Sequence, residues 1–401
     1  MSSSSIKMIK EKNKKTILGL IYKNSPIARV DVAKKSGISK VTVTRIVNEL
    51  LSEGIIEESG VDVSTGGRPP VFLKIVPSSR FLFGVDIGAY SMRIGLFDIT
   101  RKLIAMKSFD YGEAVSGDEV AGNIIQTMRE MSSEKNIPLK KIIGAGISVS
   151  GIIDYNKGTV LKSYLFKEKH YPLLKKLREH FEFNIVIDND ANVGLVYESW
   201  MGKGYDIKNI IFILTRNYVA KDMGLGVGFL FDGGVYRGFG YCAGEVGVAS
   251  SKSDAGIGSI SCDPFSSYEA IPSVEVLAKD ILAGRKQNEQ TEFYRDLSFD
   301  GVIKAGLNGD TLALDIIGAL AKSMAPGIGF LVNLLNPEIV VIGGDLAHCG
   351  KSFIELINRE VIKYIFEMHR VNLKIEISSF TEDDSGIQAA SFLGLKSLID
   401  I

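Results

Sequence analysis

The sequence predicts an α/β protein with a small, mainly helical head at its N-terminus. Three observations lead to this prediction. An amphipathic helix follows a tight turn near the N-terminus, glycine-punctuated strands alternate with helices after Pro77, and a strand–turn–strand beginning occurs twice in that second part. A chain of 401 residues, 45% of them hydrophobic, is long enough for two or three domains with sizeable cores.

The head contains the pattern of a helix-turn-helix. The segment from Val30 to Lys35 is amphipathic, Ser36 to Ile38 supplies the turn, and a longer helix is predicted from Ser39, a natural N-cap, to Gly54. Its apolar side consists of Val43, Ile46, Val47, Leu50 and Leu51. Its polar side consists of Ser39, Lys40, Thr42, Thr44, Arg45 and Asn48. This polar side is the predicted DNA-reading face.

A wing follows the predicted reading helix. Ile55 and Ile56 begin a strand, Val71 to Ile75 is predicted to return beside it, and Gly66 to Pro70 lies between them. Arg68, at the tip, is slender enough to enter a minor groove. Two alternatives remain open, since a small three-helix domain shows the same pattern and the glycine–proline segment also fits a linker.

Charge favours the DNA-binding interpretation. From Met1 to Pro77 the chain has 13 Lys and Arg against 7 Asp and Glu, a net charge of +6. The remaining 34 basic and 40 acidic residues carry −6, so a basic head is joined to an acidic body. Contacts to phosphate require a basic surface of this kind.

The composition also indicates where the protein works. No apolar run reaches about 18 residues, and the serines and lysines at the start lack the hydrophobic core of a secretory signal. We expect a soluble cytoplasmic protein that associates with the nucleoid. Cys242, Cys262 and Cys349 are odd in number and far apart, which predicts buried thiols rather than disulfides.

The body is predicted to contain two sets of strands and helices. The first set comprises strands at Phe81–Ile87, Met92–Ile99, Lys102–Phe109, Ile142–Val149 and Asn184–Asp188, with a helix at Val120–Ser133. The second comprises strands at Asn209–Leu214, Gly226–Phe231, Val235 and Ile339–Ile342. We place the head at residues 1–78, a first lobe at 79–192 completed by a C-terminal helix at 384–401, and a second lobe at 193–383.

The duplicated arrangement resembles the superfamily of sugar kinases, heat-shock proteins and actin. Within it, Ala243 to Gly247, the run Asn189 to Asn192 and the segment Asn336 to Gly344 resemble the ROK family of repressors, open reading frames and kinases. The head resembles that of ROK repressors such as the xylose and N-acetylglucosamine regulators. The resemblance covers essentially the whole chain, and implies a two-lobed actin-like, ribonuclease H-like ATPase-type fold with a ligand cleft between the lobes.

The resemblance assigns the catalytic base of ROK kinases to Asp190, but the phosphate loops depart from the kinase pattern. The first loop has Tyr90 after Asp86 where the kinases have a small hydroxyl residue, and the second has Leu225 between two glycines where they have threonine. Leucine donates no hydrogen bond to phosphate. Loss of both hydroxyls removes positioned donors from phosphoryl transfer, so we expect no kinase activity.

The zinc motif of the family is also incomplete. Its histidine and three cysteines correspond here to Val248, Ile260, Cys262 and Ser267. One thiol cannot hold tetrahedral zinc, so no metal and no cofactor are expected.

What remains of the family pattern is a set of hydroxyl-binding residues. The resemblance assigns effector binding to Asn189, Asp190, Glu245 and Glu269. The alternative for the two glutamates is an ordinary surface or helix-capping role. Val248 replaces a histidine that assists in sugar binding, and Ser163 and Tyr164 depart from the kinase pattern, so the ligand is left open as a sugar or polyol.

Together these features predict a repressor that binds double-stranded operator DNA and whose kinase-like body senses an effector by lobe closure. Paired half-sites require a homodimer or a higher even oligomer. Two other functions remain: a sugar kinase with an accessory DNA-binding head, and a sensor whose head serves only dimerisation.

Overall fold

The chain forms two units, and the first contains both of its ends. The first unit comprises Met1–Asn189 with Gly386–Ile401, and the second comprises Asp190–Ser385. The computed structural model describes residues 3–61, 71–216, 224–246, 274–283, 298–380, 384–396 and 398–399.

The head has three helices and a small antiparallel sheet. Its elements are α1 (Ser3–Lys23), β1 (Ile27–Ala28), α2 (Arg29–Ser36), α3 (Lys40–Ser52), β2 (Ile56–Val61) and β3 (Val71–Ile75). The sheet order is β1-β3-β2. Gly37 ends α2 with φ 65°, a conformation that glycine adopts without penalty, and so makes the predicted turn. The predicted helix-turn-helix and the two strands of the wing are confirmed.

The rest of the first unit is a sheet with helices. Its elements are β4 (Phe81–Ile87), β5 (Ser91–Asp98), β6 (Leu103–Asp110), α4 (Gly117–Glu134), β7 (Ile142–Val149), β8 (Gly151–Asp154), β9 (Thr159–Ser163), α5 (Leu173–Arg178) and β10 (Asn184–Asn189). The five-stranded sheet has the order β10-β7-β4-β5-β6. The hairpin of β8 and β9 was not predicted, because its short strands lack a continuous apolar run.

The second unit repeats this plan. Its elements are α6 (Asp190–Met201), β11 (Ile210–Arg216), β12 (Gly224–Phe231), β13 (Gly234–Tyr236), α7 (Val274–Ala283), α8 (Phe299–Leu307), α9 (Thr311–Leu335), β14 (Ile339–Gly344), α10 (Gly350–Val361) and β15 (Lys374–Ile377). The chain then returns to the first unit as α11 (Ser385–Lys396). The sheet order is β13-β12-β11-β14-β15.

Both five-stranded sheets have the same topology. In the first, β4 pairs antiparallel with β5 and parallel with β7. In the second, β11 pairs antiparallel with β12 and parallel with β14. In the first sheet β6 then pairs with β5 and β10 pairs with β7. In the second sheet β13 pairs with β12 and β15 pairs with β14 in the same way. The predicted repetition of the strand–turn–strand beginning is confirmed, and the structure extends it to all five strands, including β15, which was not predicted.

Within the part of the chain that the structure describes, one helix is long and apolar enough to be tested as a membrane span. α9 has a mean hydropathy of 1.4, but 61% of its apolar window is buried inside the protein. Leu312, Ile316, Leu320 and Met324 lie in the core of the second unit at 1% exposure or less. α9 is therefore the core helix of this unit.

α11 is bound to the first sheet by close backbone contact. A Cβ on Gly84, in β4, would lie 2.0 Å from the carbonyl oxygen of Ile387, and one on Gly146, in β7, would lie 1.8 Å from that of Ala390. Only glycine permits such an approach. Phe392 and Leu395 are fully buried where α11 packs.

Two expectations about burial are wrong. Val30, one of the apolar residues of the segment predicted to be amphipathic, is 63% exposed, and Val32 alone on α2 is fully buried. Cys242 is exposed, whereas Cys349 is buried as predicted, and Cys262 lies outside the described residues. A single β-branched residue or thiol near a turn carries no periodic signal that fixes its burial. Burial raises the pKa of the Cys349 thiol well above its usual range.

We expect Gly146→Ala to destabilise the first unit by at least about 3 kcal/mol, because its Cβ would displace α11. Gly122→Ala is the matched control: no atom lies within 4 Å of its added Cβ on α4, and helix propensity should stabilise by up to about 1 kcal/mol. Calorimetric unfolding of both variants checks this. Equal transition temperatures would contradict the assigned packing of α11.

Candidate functional site

The predicted DNA-reading face lies on α3. The Ser39 hydroxyl caps the helix by accepting a hydrogen bond of 3.3 Å from the Thr42 backbone N–H. The apolar side is buried at Val43, Ile46, Val47 and Leu50, none more than 1% exposed, and Leu51 is partly buried. Lys40, Thr44, Arg45 and Asn48 are exposed, and Thr42 is partly buried. The polar side chains are thus available for contact, and their role in DNA binding stays a prediction.

Val41 is a residue of this face that the sequence analysis missed. Its side chain is 81% exposed, next to Lys40 and on the same side as Arg45. An exposed apolar side chain near the start of a reading helix suits the methyl group of thymine. The sequence offered a signal for this residue, because the helical period places Val41, an apolar side chain, on the side of α3 away from the core.

The wing is described only at its base. β2 and β3 pair antiparallel, with Ser59 opposite Phe72, and Lys74 forms an ion pair of 2.9 Å with Glu57 across the strands. Arg68 lies between them, outside the described residues, so its predicted minor-groove contact stays a prediction.

Two lysines of α1 are committed to contacts within the head. Lys10 lies 3.0 Å from Glu49 and Lys14 lies 3.1 Å from the same carboxylate. Lys14 also contacts Glu53, at 2.6 Å. Hydrogen bonds from Lys10 and then Lys14 lower the pKa of the Glu49 carboxyl. These lysines hold α1 against α3. They are therefore less available for contacts with DNA phosphates than the net charge of the head suggests.

Asn189, the first predicted effector residue, ends β10 in the first unit. Its side-chain amide donates a hydrogen bond of 2.9 Å to the Gly151 carbonyl. Beside Gly151, the Ser150 carbonyl accepts a hydrogen bond of 2.9 Å from the Ser163 hydroxyl. A Cβ on Gly151 would lie 2.2 Å from the Lys162 carbonyl oxygen, so glycine is required there. The unpredicted hairpin of β8 and β9 therefore sets the position of Asn189.

Asp190 begins α6 in the second unit. Its Oδ1 accepts a hydrogen bond of 3.0 Å from the Ala191 N–H, so the carboxylate lies at a helix N-terminus, where the helix dipole favours negative charge. Its Oδ2 lies 4.0 Å from the Arg216 guanidinium at the end of β11. The Asp190 side chain is 9% exposed. Arg216 was not among the predicted site residues, because nothing in the sequence links the two positions.

Glu245 is positioned by the glycine before it. Gly244 has φ 91°, and its Cβ would lie 1.7 Å from the Val227 carbonyl oxygen on β12. The Gly244 carbonyl accepts a hydrogen bond of 3.2 Å from the Val227 N–H. The turn with Glu245 thus lies directly on β12.

The structure brings Asp190 and Glu245 to the same part of β12. A Cβ on Gly226 would lie 3.2 Å from the Ala191 Cβ, and one on Gly228 would lie 2.9 Å from the Ala191 carbonyl oxygen, so α6 begins against this strand. Both carboxylates are therefore carried by elements packed on residues 226–228. Glu269 lies outside the described residues, as do Val248, Ile260, Cys262 and Ser267.

Asp86 and Leu225, in the segments that correspond to the two phosphate loops of the kinases, make contacts within the protein. Asp86 is 3% exposed and pairs with Arg93 at 3.0 Å, while the Ser148 hydroxyl donates to its other oxygen at 3.0 Å. Leu225 packs against the core of the second unit. Among the described residues, no three His, Cys, Asp or Glu side chains are grouped to hold a metal ion.

Comparison with known families agrees with this geometry. The ROK family profile matches residues 82–397. The chain belongs to the ROK family. A winged helix-turn-helix DNA-binding profile matches residues 10–57, which span α1 to the start of β2. The predicted combination of a DNA-binding head and a ROK body is confirmed.

Individual relatives have the same organisation. The xylose repressor of Caldicellulosiruptor bescii is 29% identical over 384 residues, covering 94% of this chain and 93% of that protein. The N-acetylglucosamine repressor of Escherichia coli O157:H7 is 22% identical over 372 residues, covering 92% and 89%. A ROK family transcriptional regulator, a homologue of the E. coli MLC protein, has the same fold, with a TM-score of 0.75, 22% identity and coverage of 97% and 96%.

Proposed function

We propose that this ROK family protein is a transcriptional repressor that changes its affinity for operator DNA when a sugar or polyol binds its kinase-like body. The observation that carries the proposal is a winged helix-turn-helix in one compact unit with the first sheet of a sugar-kinase-like fold. We expect a protein that binds operator DNA to work in the cytoplasm, at the nucleoid. The repressors to which it is similar support this assignment.

We assign effector binding to Asn189, Asp190, Glu245 and Glu269. Carboxylates accept hydrogen bonds from vicinal hydroxyls, and those bonds are stronger than neutral ones. The packing of the Asp190 and Glu245 elements on β12 supports the assignment. D-xylose is the first compound to test, because the relative that is 29% identical is a xylose repressor.

A sensing role fits Asp190 better than phosphoryl transfer does. A general base must take a proton from the sugar hydroxyl, whereas Arg216 stabilises the ionised carboxylate here. Asp86 is held by Arg93 in the same way. We expect neither kinase activity nor bound zinc.

We also propose a homodimer formed through an exposed apolar surface of the second unit. Its residues are Phe330, Leu334, Ile362, Tyr364, Phe366, Met368 and Val371. Asn333 holds the two segments together, since its amide donates to the Tyr364 carbonyl at 2.8 Å and its side-chain oxygen accepts from the Phe366 N–H at 2.8 Å. Exposed apolar side chains on linked segments favour a protein partner, and two operator half-sites require a second copy of this chain.

The DNA-binding role is tested with Arg45→Ala and Arg68→Ala. Loss of one base contact at Arg45 should weaken specific binding by about 1–3 kcal/mol. Arg68→Ala should remove the preference for A·T-rich flanks. Fluorescence anisotropy with promoter DNA next to the protein's own gene measures both effects.

Lys351→Ala, on α10 of the second unit, is the control and should bind DNA normally. If the Arg45 and Lys351 variants bind equally, α3 is not the reading helix. If wild type ignores the flanking sequence, Arg68 has no minor-groove role.

The sensing role is tested with Asp190→Asn, which keeps the shape of the side chain and removes its charge. The dissociation constant of the ligand found by thermal-shift screening, beginning with D-xylose, should rise at least about tenfold. Operator affinity without ligand should stay unchanged. Calorimetry and anisotropy measure the two quantities.

Asp206→Asn, on the exposed surface of the same unit, is the control and should bind ligand as wild type does. Normal ligand binding by Asp190→Asn would place the effector elsewhere. Sugar-dependent ADP release that disappears in Asp190→Asn would instead establish a kinase.

The dimer is tested with the double variant Phe366→Glu and Met368→Glu. Charges in an apolar interface are left desolvated and unpaired, so the dimer dissociation constant should rise at least about tenfold, as measured by analytical ultracentrifugation. Met106→Glu, at an exposed apolar position on β6, is the control. An unchanged dimer in the double variant would exclude this surface.

A further inference from the structure

Arg101 lies in the tight turn between β5 and β6 and contacts both the head and the C-terminal helix. Its Nε donates a hydrogen bond of 2.8 Å to the Tyr22 hydroxyl on α1. Its guanidinium carbon lies 5.6 Å from the ring centroid of Phe392 on α11, within the range of a cation–π contact. One side chain therefore joins an N-terminal helix of the head to the last helix of the chain.

The turn that carries Arg101 is fixed by its own hydrogen bonds. The Asp98 carboxylate accepts from the Thr100 N–H at 2.8 Å, from the Thr100 hydroxyl at 2.6 Å and from the Lys102 N–H at 3.1 Å. Arg101 itself has φ 70°, a conformation that disfavours residues with a Cβ. The backbone conformation at this position favours glycine. Arg101 differs from a glycine there by the guanidinium, which makes the contacts to Tyr22 and Phe392.

On the head side, the contact reaches the helix that supports α3. Tyr22 follows the buried Ile21 on α1, and α1 packs against both α2 and α3. Burial raises the pKa of the Tyr22 hydroxyl, so the phenol is protonated and accepts the bond from Arg101 through its oxygen. A displacement of Arg101 would thus act on the helix packed behind the reading helix.

On the other side, the contact reaches the helix that continues from the second unit. Phe392 is fully buried on α11, and α11 begins at Ser385, where the chain passes from the second unit to the first. The Gly84 and Gly146 contacts bind the α11 backbone closely to the first sheet. Because α11 is packed so closely, we expect a displacement at its start to move the rest of the helix with it.

We propose that Arg101 is a positioning residue that couples α11 to the DNA-binding head, through Phe392 on one side and Tyr22 on the other. This rests on the proposed function, since it gives the route by which effector binding changes operator affinity. Coupling between two binding sites is reciprocal, so operator binding should also alter α11.

The backbone on each side of the junction between head and lobe is held by hydrogen bonds that are separate from this contact. The Ile99 N–H bonds to the Arg80 carbonyl at 2.9 Å, and the Val76 N–H bonds to the Ile55 carbonyl at 2.9 Å. Neither bond involves the Arg101 side chain. Removing the guanidinium therefore leaves the covalent and backbone junction in place.

The test uses Arg101→Gly and Tyr22→Phe in the full chain. Glycine accepts the φ of 70°, so the turn is kept while the guanidinium is removed, and phenylalanine keeps the ring and removes the hydroxyl. Lys102→Gln, at the next and exposed position, is the matched control. Operator affinity is measured by anisotropy with and without D-xylose, and D-xylose binding is measured by calorimetry.

We expect both variants to bind D-xylose within about twofold of wild type, while the D-xylose-dependent change in operator affinity falls at least about threefold. The control should keep the full change. An undiminished response in both variants would overturn the proposal.

Hydrogen exchange provides a readout that needs no effector. Operator binding by wild type should slow exchange in residues 385–396, and Arg101→Gly should abolish that slowing while α2 and α3 keep their protection. If α2 and α3 lose protection in free Arg101→Gly, the residue only stabilises the head and the proposal is wrong. If wild type fails to respond to D-xylose but shows the exchange coupling, the choice of effector is wrong and the role of Arg101 stands.

Discussion

The first unit depends on the contact between the backbone of α11 and the backbones of β4 and β7. Gly84 and Gly146 lie under the Ile387 and Ala390 carbonyls at distances where no Cβ fits. The last helix of the chain thereby covers the two central strands, which are buried along almost their whole length. Because Phe392 on that helix contacts Arg101, the head, the sheet and the C-terminus belong to one packed structure.

Much of this fold could be predicted from local patterns. β7 was predicted at Ile142–Val149, its observed bounds, because a buried parallel strand is a continuous apolar run. The turn at Gly37 and the cap at Ser39 are also local, since one residue type meets one backbone requirement. The β8 and β9 hairpin and β15 escaped prediction, because short strands at a sheet edge or in a connection depend on packing that the sequence does not reveal.

The candidate site was less accessible to prediction for the same reason. The family resemblance identified Asp190 and Glu245, but their common support on β12 depends on Gly226 and Gly228 of that strand and on Gly244 of a separate turn. The pairing of Asp190 with Arg216 joins the start of α6 to the end of β11. Val41 is different: its exposure follows from the helical period, and it was overlooked because the face was assigned by polarity alone.

Arg216, beside Asp190, has opposite effects on the two roles considered for that carboxylate, which are to act as a general base and to bind a sugar. A carboxylate that acts as a base must accept a proton and so lose its negative charge. An arginine at 4.0 Å stabilises that charge. A carboxylate that binds a sugar keeps its charge throughout. Its oxygens accept hydrogen bonds whether or not a proton is transferred, as the bond from the Ala191 N–H shows. The contact with Arg216 therefore favours the proposed sensing role of Asp190 over the role of a general base.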